Sequence, residues 1–486
     1  MLNISMRGCP ARVHRALLAA AGLLALTGCA SFSPDGGFDA VERMTRAHLG
    51  QAPSYARTAA QADAARARVA ELLKQPLTAD AAVQVALLNN PELQADYAAL
   101  GLAEADLVRA GRLANPSLKW GRLGGEGSVE VERAVVFDLL GLLTLPLARE
   151  VEQRRFEQVQ MQAAAQTLAV AARARAAYFE AVAARELAQA HEQLVEVVST
   201  SEELAGRAGK VGNLAPLPRL REQAQLAEAR VALVRARHRE AGAREQLVRA
   251  LGLAGAQLAF ELPARLPQLP ALPDSPTAQA DAEQAAMDGR LDLLRARRAV
   301  EETARSLGLA RATRVVNVLH LGLHDKRESG AHSSRGWEVE FVLPLFDFGQ
   351  VRMQQAQALY MQAVNRTAAA AVRARSEVRE AWSARRTAHE VAREHRDVLV
   401  PLRKRMSEEM LLRYNAMLVS PFELLADARE QQGAVIGSIE ALRDFWLAET
   451  ALQATLSVPA PSAADRSGDR SPAGRAAAAP AHAAGH

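Results

Sequence analysis

Eleven histidines and two cysteines are the residues through which this chain would do metal or nucleophilic chemistry, and their spacing argues against both. His389-Glu390 meets its next histidine at His395, and His191-Glu192 is followed by Val195. Neither forms the H-E-x-x-H pair that sets two imidazoles on one helix face around zinc. Gly121, Gly124, Gly125 and Gly127 cluster between two extended stretches and do not open a helix, so they make no phosphate loop. The best-placed imidazoles for a metal are His320 and His324, which share a face of an extended segment, with His332 nearby and His482 and His486 in the tail. They lack a spaced Cys/His set, so scattered surface histidines are the favoured reading. No catalytic residue, metal or diffusible cofactor is expected.

The cysteines point elsewhere. Met1 to Arg15 carries Arg7, Arg12, His14 and Arg15, and Ala16 to Leu26 is apolar. This is a positive segment followed by a hydrophobic stretch too short for a stable span. Leu26-Thr27-Gly28-Cys29 has the form of the bacterial lipoprotein cleavage box, which implies removal of residues 1–28 and covalent lipid on the Cys29 thiol. Ala30, rather than Asp, follows the cysteine, an address for the outer membrane. The lipid would anchor the chain to a leaflet without spanning it. Cys9 falls in the removed segment, so no disulfide framework is available. The 59 basic and 55 acidic residues give +4, and losing Arg7, Arg12 and Arg15 leaves 56 against 55. Arginines alternate with glutamates along helical stretches, which describes solvated faces and no nucleic-acid partner. No run of 18 apolar residues follows residue 30, which argues against a helical membrane span.

Aromatics make up only 4% while Ala, Arg, Leu, Glu and Gln dominate, a composition for long helices with narrow seams. Thr58 to Lys74 reads as a helix, and Thr78 as the N-cap of another that runs to Leu88. Asn89-Asn90-Pro91 interrupts it, and a further helix runs from about Glu92 to Leu113 with Ala98, Leu102 and Ala105 along one stripe. Ser117 to Leu145 reads as two strands around the Gly124–Gly127 turn, ended by Leu145-Pro146. From Leu147 to Ala205 there is no Gly or Pro, so one helix of extreme length is expected to continue to Val211. It must pack beside similar helices, with Leu187, Leu194 and Val198 on the seam and the Ala-rich stretch 163–190 allowing close approach. Gly209 to Pro218 breaks it, and Arg219 to Ala250 returns. The pattern then repeats: Ala282, Ala286, Met287 and Leu293 stand 200 positions after Ala82, Ala86, Leu87 and Leu93. A helix from Leu291 to Thr313, strands, a helix from Gln350 to about Asn415, a break at Met417 to Pro421 and a return over Phe422 to Leu456 complete the second unit. The expected organisation is a signal peptide (1–28), an arm (29–76), a first repeat (77–262, strands about 117–145), a Pro-rich extended linker (263–276), a second repeat (277–458, strands about 314–345) and a disordered tail (459–486).

The strands alternate. Trp337, Val339 and Phe341 oppose Glu338 and Glu340; Leu319, Leu321 and Leu323 oppose His320 and His324; Glu130 and Glu132 mark the polar face of the first hairpin. Strands of about ten residues with one apolar and one polar face are the pattern of a transmembrane barrel. The apolar set would face lipid and the glutamates a lumen. Four strands cannot close alone, because open edges in lipid leave backbone groups unpaired at several kcal/mol each. Three copies would supply twelve strands and a water-filled lumen, whereas two would supply eight and a packed interior. A lipid-anchored periplasmic coiled-coil scaffold without a pore is the alternative.

Between Pro76 and Leu456 the chain resembles the TolC-like outer-membrane efflux channels. The residues that carry the likeness are Leu77-Thr78 through Asn90-Pro91-Glu92-Leu93, Asn115-Pro116-Ser117-Leu118, and above all Leu343-Pro344-Leu345-Phe346-Asp347-Phe348-Gly349. The resemblance implies a mainly α fold with a small transmembrane β part, assembled as a homotrimer with a shared twelve-stranded barrel and a periplasmic α-barrel. It implies an exit duct for a tripartite efflux or type I secretion system, served by a periplasmic adaptor and an inner-membrane pump of RND or ABC type. It also leaves open a transient copper or zinc contact at His320 and His324. The shut end of such ducts lies at the helix tips, here 209–218 and 413–421. There Gly212, Arg413, Tyr414, Glu423 and Asp427 are candidate gate or adaptor residues through inter-helix bonds. Met417 stands where the family usually has glycine.

Overall fold

In the computed structural model, residues 31–125, 128–272, 277–312, 319–328, 333–341 and 348–459 are described. The signal peptide, Cys29, Glu126-Gly127, Pro273 to Pro276, Arg314 to Val318, His332, Leu343 to Asp347 and the tail beyond 459 lie outside them. The helices are α1 (Phe38–Leu49), α2 (Ala59–Leu72), α3 (Ala79–Asn89), α4 (Pro91–Ala110), α5 (Leu139–Lys210), α6 (Pro216–Leu251), α7 (Ala278–Gly289), α8 (Leu291–Ala312), α9 (Gln350–Glu394), α10 (Val400–Asn415) and α11 (Pro421–Thr455). The strands are β1 (Ser117–Gly125), β2 (Ser128–Asp138), β3 (Leu319–Glu328) and β4 (Ser334–Phe341). The order helix, helix, strand, strand, long helix, return helix therefore occurs twice.

α5 is the spine. Its 72 residues reach roughly 108 Å. The arm helix α1, α3, α4, α6, α8 and α11 all pack on it. The small residues of its middle third allow this: Ala164, Ala171, Ala174, Ala181, Ala183 and Ala188 are buried, and large side chains from other helices fill the space they leave. The expected seam forms, with Leu187 against Ile439 and Val198 against Leu226.

Caps explain the helix starts. Thr58 and Gln61 form a reciprocal capping box, Thr78 accepts from the Ala81 amide at 3.2 Å, and Asn90 accepts from the Glu92 and Leu93 amides. Gly252 ends α6 at φ +68°, and a Cβ there would meet the Asn89 carbonyl at 2.9 Å, so only glycine fits this meeting of α6 with the α3–α4 junction. At the corresponding junction of the second unit, Arg290 is fully buried and paired with Asp292 at 2.8 Å and with Glu377 of α9.

Four expectations change. The strand region does not run to Pro146: β2 ends at Asp138, whose Oδ1 accepts from the Gly141 amide at 2.8 Å and starts α5 eight residues early. Pro146 is carried inside the helix. On α4 the Ala98, Leu102 and Ala105 stripe faces out, with Leu102 73% exposed, while Leu93, Tyr97, Leu100 and Val108 are buried. Both stripes have helical spacing, and the one carrying more apolar volume takes the core. The helix after Gln350 is continuous to Asn415 but opens into a π-turn over His395–Leu399, just before Pro401, whose missing amide cannot close the regular ladder. The linker, expected to be merely extended, is a strap. Leu262, Leu266 and Leu269 are buried, and its carbonyls accept from Arg185, Trp446 and Arg396.

Candidate functional site

β1, β2, β3 and β4 form one antiparallel sheet in that order, so the hairpins of the two units are joined through β2 and β3. Residues directly opposite in an antiparallel ladder share a face, which turns the register into a map of two surfaces. One face carries, across the sheet, the row Leu118, Val135, Leu323 and Trp337, and next to it the row Phe137, Leu321 and Val339. Leu319 and the register position of Phe341 follow. Leu118 is 75% exposed, Trp120 66% and Trp337 74%, far more apolar surface than a water-facing sheet tolerates. The sequence-derived apolar set thus lies on one face, and β1 and β2 extend it with Leu118, Trp120, Val135 and Phe137.

The opposite face carries the charged set, interspersed with Leu123, Ala134 and Val136. Glu130 and Glu132 from β2, His320, His324 and Lys326 from β3, and Glu338 and Glu340 from β4 share it. They pair across strands: Lys326 Nζ to Glu130 at 2.5 Å, His320 Nδ1 to Glu340 at 3.5 Å, and His324 Nδ1 to Glu132 at 3.7 Å. His324 Nε2 lies 2.8 Å from Glu338 without the alignment of a hydrogen bond. The histidines singled out for metal therefore sit against glutamates. Among the described residues no group of three His, Cys, Asp or Glu gathers in a way that would hold an ion.

The sheet passes into helix with no intervening domain. Asp138 leads directly into α5, and Leu142 and Leu143 are exposed just below the sheet. On the second unit Gly349, at φ +76°, precedes α9. No helix among the described residues is long and apolar enough to cross a membrane.

At the other end two helical hairpins turn. α5 gives way to α6 through Gly212 at φ +78°, with Gly212 N–H bonded to the Gly209 carbonyl and Asn213 N–H to Ala208. α10 gives way to α11 through the same pair of bonds, Met417 to Tyr414 and Leu418 to Arg413. This double bond at a left-handed residue is a Schellman close. Met417 occupies it at φ +61°, where a side chain costs about 1–2 kcal/mol relative to glycine. Of the tip residues, Arg413 pairs within its own helix with Glu409 at 3.0 Å, and Glu423 is taken up by the α11 capping box with Ser420. Tyr414 is exposed, and Asp427 is buried with one carboxylate oxygen unpartnered. Within one chain these residues do not bond between helices.

No family model matches the sequence, and neither does any curated protein. Solved structures do match. The Campylobacter jejuni CmeC outer-membrane channel superposes at TM-score 0.66 with 16% identity, over 78% of this chain and 85% of that one. The open state of the Neisseria gonorrhoeae MtrE outer-membrane channel gives 0.63 with 17% identity over 77% and 88%, and the Vibrio cholerae outer-membrane protein VceC 0.62 with 15% over 80% and 96%. The chain has the fold of the TolC-like outer-membrane channels. The strap and the cap at Asp138 are features which the sequence pattern did not single out, whereas the buried Ala stretch of α5 is the one its composition marked for close approach. Asp138 had a signal, an N-cap residue type at the end of the alternation, that would have marked the helix start.

Proposed function

We propose that the chain is the outer-membrane exit duct of a tripartite efflux or type I secretion system, acting as a passive homotrimer. The observation that carries this is the amphipathic four-stranded sheet, continuous with helices of extreme length and open at both β1 and β4. A sheet with an apolar face needs lipid, and in lipid its edges need partners. Three copies joined β4 to β1 give twelve strands, with Glu130, Glu132, Glu338 and Glu340 lining water. The helical hairpins then reach into the periplasm, where their tips meet an adaptor linked to an inner-membrane pump of RND or ABC type.

The lipid on Cys29 fits this placement. The Ser33 amide and hydroxyl both donate to Glu104 Oε1, at 2.6 and 2.5 Å, on the part of α4 that climbs toward β1. Ser33 is four steps along the chain from Cys29, a reach of at most about 14 Å. The arm therefore tethers the lipidated residue to the sheet-proximal part of the molecule.

Purified full-length protein, and a Cys29→Ala variant expressed with a cleavable secretory signal, should both require detergent, have the mass of a trimer and conduct ions in planar bilayers. An elongated species of the variant that is soluble without detergent and electrically silent would establish the scaffold reading instead.

A further inference from the structure

We propose that the rim of the sheet nearest its hairpin turns binds the phosphorylated glycolipid of the outer leaflet, through a belt of arginines on the lipid-facing side. This rests on the duct reading. It adds a ligand class, and it comes from the part of the apolar face where that face stops being apolar. One pair further toward the turns from Leu118, Val135, Leu323 and Trp337, the same face carries Trp120, Arg133, Asp325 and Arg335. The next row carries Arg122, Val131 and Arg327. At two residues per step these rows stand about 7 and 14 Å above the last apolar row.

Among the described residues of each chain, four guanidiniums face one carboxylate in this belt. Asp325 is shared by Arg335 at 3.2 Å and Arg327 at 3.4 Å. Arg122 and Arg133 have no carboxylate within ion-pair distance among the described residues, and both are exposed. A soluble sheet would scatter such charges among acids. Here they sit in two adjacent rows immediately beyond an apolar band, with Trp120 beside Arg133 at the level where amphipathic rings favour the interface. The turns lie at the end of the sheet away from the helices. With the helices in the periplasm, the belt meets the external headgroup layer, whose glycolipid carries phosphates on its sugar backbone. Guanidinium forks bind phosphate through paired N–H bonds, and the acyl chains below would lie against Leu118, Val135 and Leu323. Three chains repeat the belt around the barrel. The observed pairing makes this a positive surface with spare donors, and charge complementarity selects the anionic glycolipid over a zwitterionic phospholipid.

The test uses full-length protein in detergent, native mass spectrometry with added lipid A, phosphatidylglycerol or phosphatidylethanolamine, and single-channel recording in phosphatidylethanolamine bilayers. The native trimer should retain lipid A at least about tenfold better than either phospholipid, and R122Q/R133Q/R327Q/R335Q should lose that preference while its conductance stays unchanged. Arg122→Gln with Arg133→Gln leaves the Asp325 pairs intact, so this milder variant serves if the fourfold change does not fold, and its preference should fall about threefold. Equal retention of lipid A by native and variant protein overturns the belt, as does equal retention of phosphatidylglycerol and lipid A by the native trimer. A native protein that conducts without preferring lipid A removes the belt and leaves the duct. A native protein that does not conduct removes both.

Discussion

Glu423 shows how far a single residue's role depends on where its side chain is spent. The Ser420 amide donates to its carboxylate at 2.7 Å while Ser420 Oγ accepts from the Glu423 amide at 3.2 Å, so the pair closes the first turn of α11. That backbone bond from Ser420, more than any other influence, holds the Glu423 carboxyl below its ordinary value. The stabilisation is complete above the usual Glu range and is lost as pH falls through the lowered value. Ser420→Ala should speed amide exchange in the first turn of α11 about fivefold at neutral pH, the size of a lost N-cap of about 1 kcal/mol. Native protein should show the same loss of protection only under strongly acidic conditions. Hydrogen exchange with mass spectrometry, read on the peptides covering 420–426, decides it. Unchanged protection in the Ser420→Ala variant would mean that packing and not the cap holds this end. A residue set aside for a gate by its position and charge is thus, within one chain, a helix cap. Its type was legible, and S-P-F-E is itself a capping-box signature. The inter-helix use was inferred from placement alone.

Among the elements, the strap over 262–272 was the least legible. A stretch punctuated by prolines carries no period, so nothing in it said which side chains would be buried. In the fold, Leu266 donates its amide to Glu186 of α5 at 3.0 Å, His389 meets the Pro270 carbonyl at 3.0 Å, and Trp446 of α11 donates to the Pro267 carbonyl at 3.1 Å. The strap therefore ties α5, α9 and α11 together across the boundary between the two units. Burial pushes the Glu186 carboxyl up, against the opposing pull of the Leu266 amide. A group raised in this way favours the folded state more as pH falls through its raised value. Glu186→Gln keeps an acceptor for the Leu266 amide and removes the half-buried charge, so it should leave thermal stability unchanged or slightly higher. Glu186→Ala leaves that amide unpaired and should cost about 1 kcal/mol. Thermal unfolding of both variants side by side tests this; a loss in Glu186→Gln equal to that in Glu186→Ala would show that the charge itself is needed. The long helices were legible because a Gly-free run of Ala, Leu, Arg and Glu leaves few other solutions. Their ends were less so, since a single carboxylate at Asp138 moved the start of α5 ahead of Pro146.

At the scale of the assembled molecule, the duct reading makes a statement about ions. The polar face carries Glu130, Glu132, Glu338 and Glu340 against His320, His324, Lys119 and Lys326, and trimer symmetry would repeat that acidic excess three times. A lumen lined in this way concentrates cations. Reversal potentials under a salt gradient should show cation preference. Changing all four glutamates to glutamine should reduce the cation-to-anion permeability ratio several-fold, with little change in conductance at high salt, where surface charge is screened. An anion-preferring native pore would place these glutamates away from the water path.

Local patterns alone were enough for the alternation of each strand, the extreme helices and the recurrence of their order, and they mark a lipoprotein-type box at Leu26 to Cys29 that lies outside the described residues. All of these are local periodicities or short motifs, written in neighbouring residues. Packing in three dimensions fixed what periodicity cannot carry. Cross-strand register aligned four arginines into adjacent rows above the apolar band, although each was only an ordinary polar position in its own strand. Competing stripes on α4 were resolved by which one had partners to bury against. The linker became a strap because leucines far apart from α5 and α11 in the chain found them in space. Register, burial and strap contacts are long-range quantities, set by packing between segments that a one-dimensional pattern does not relate.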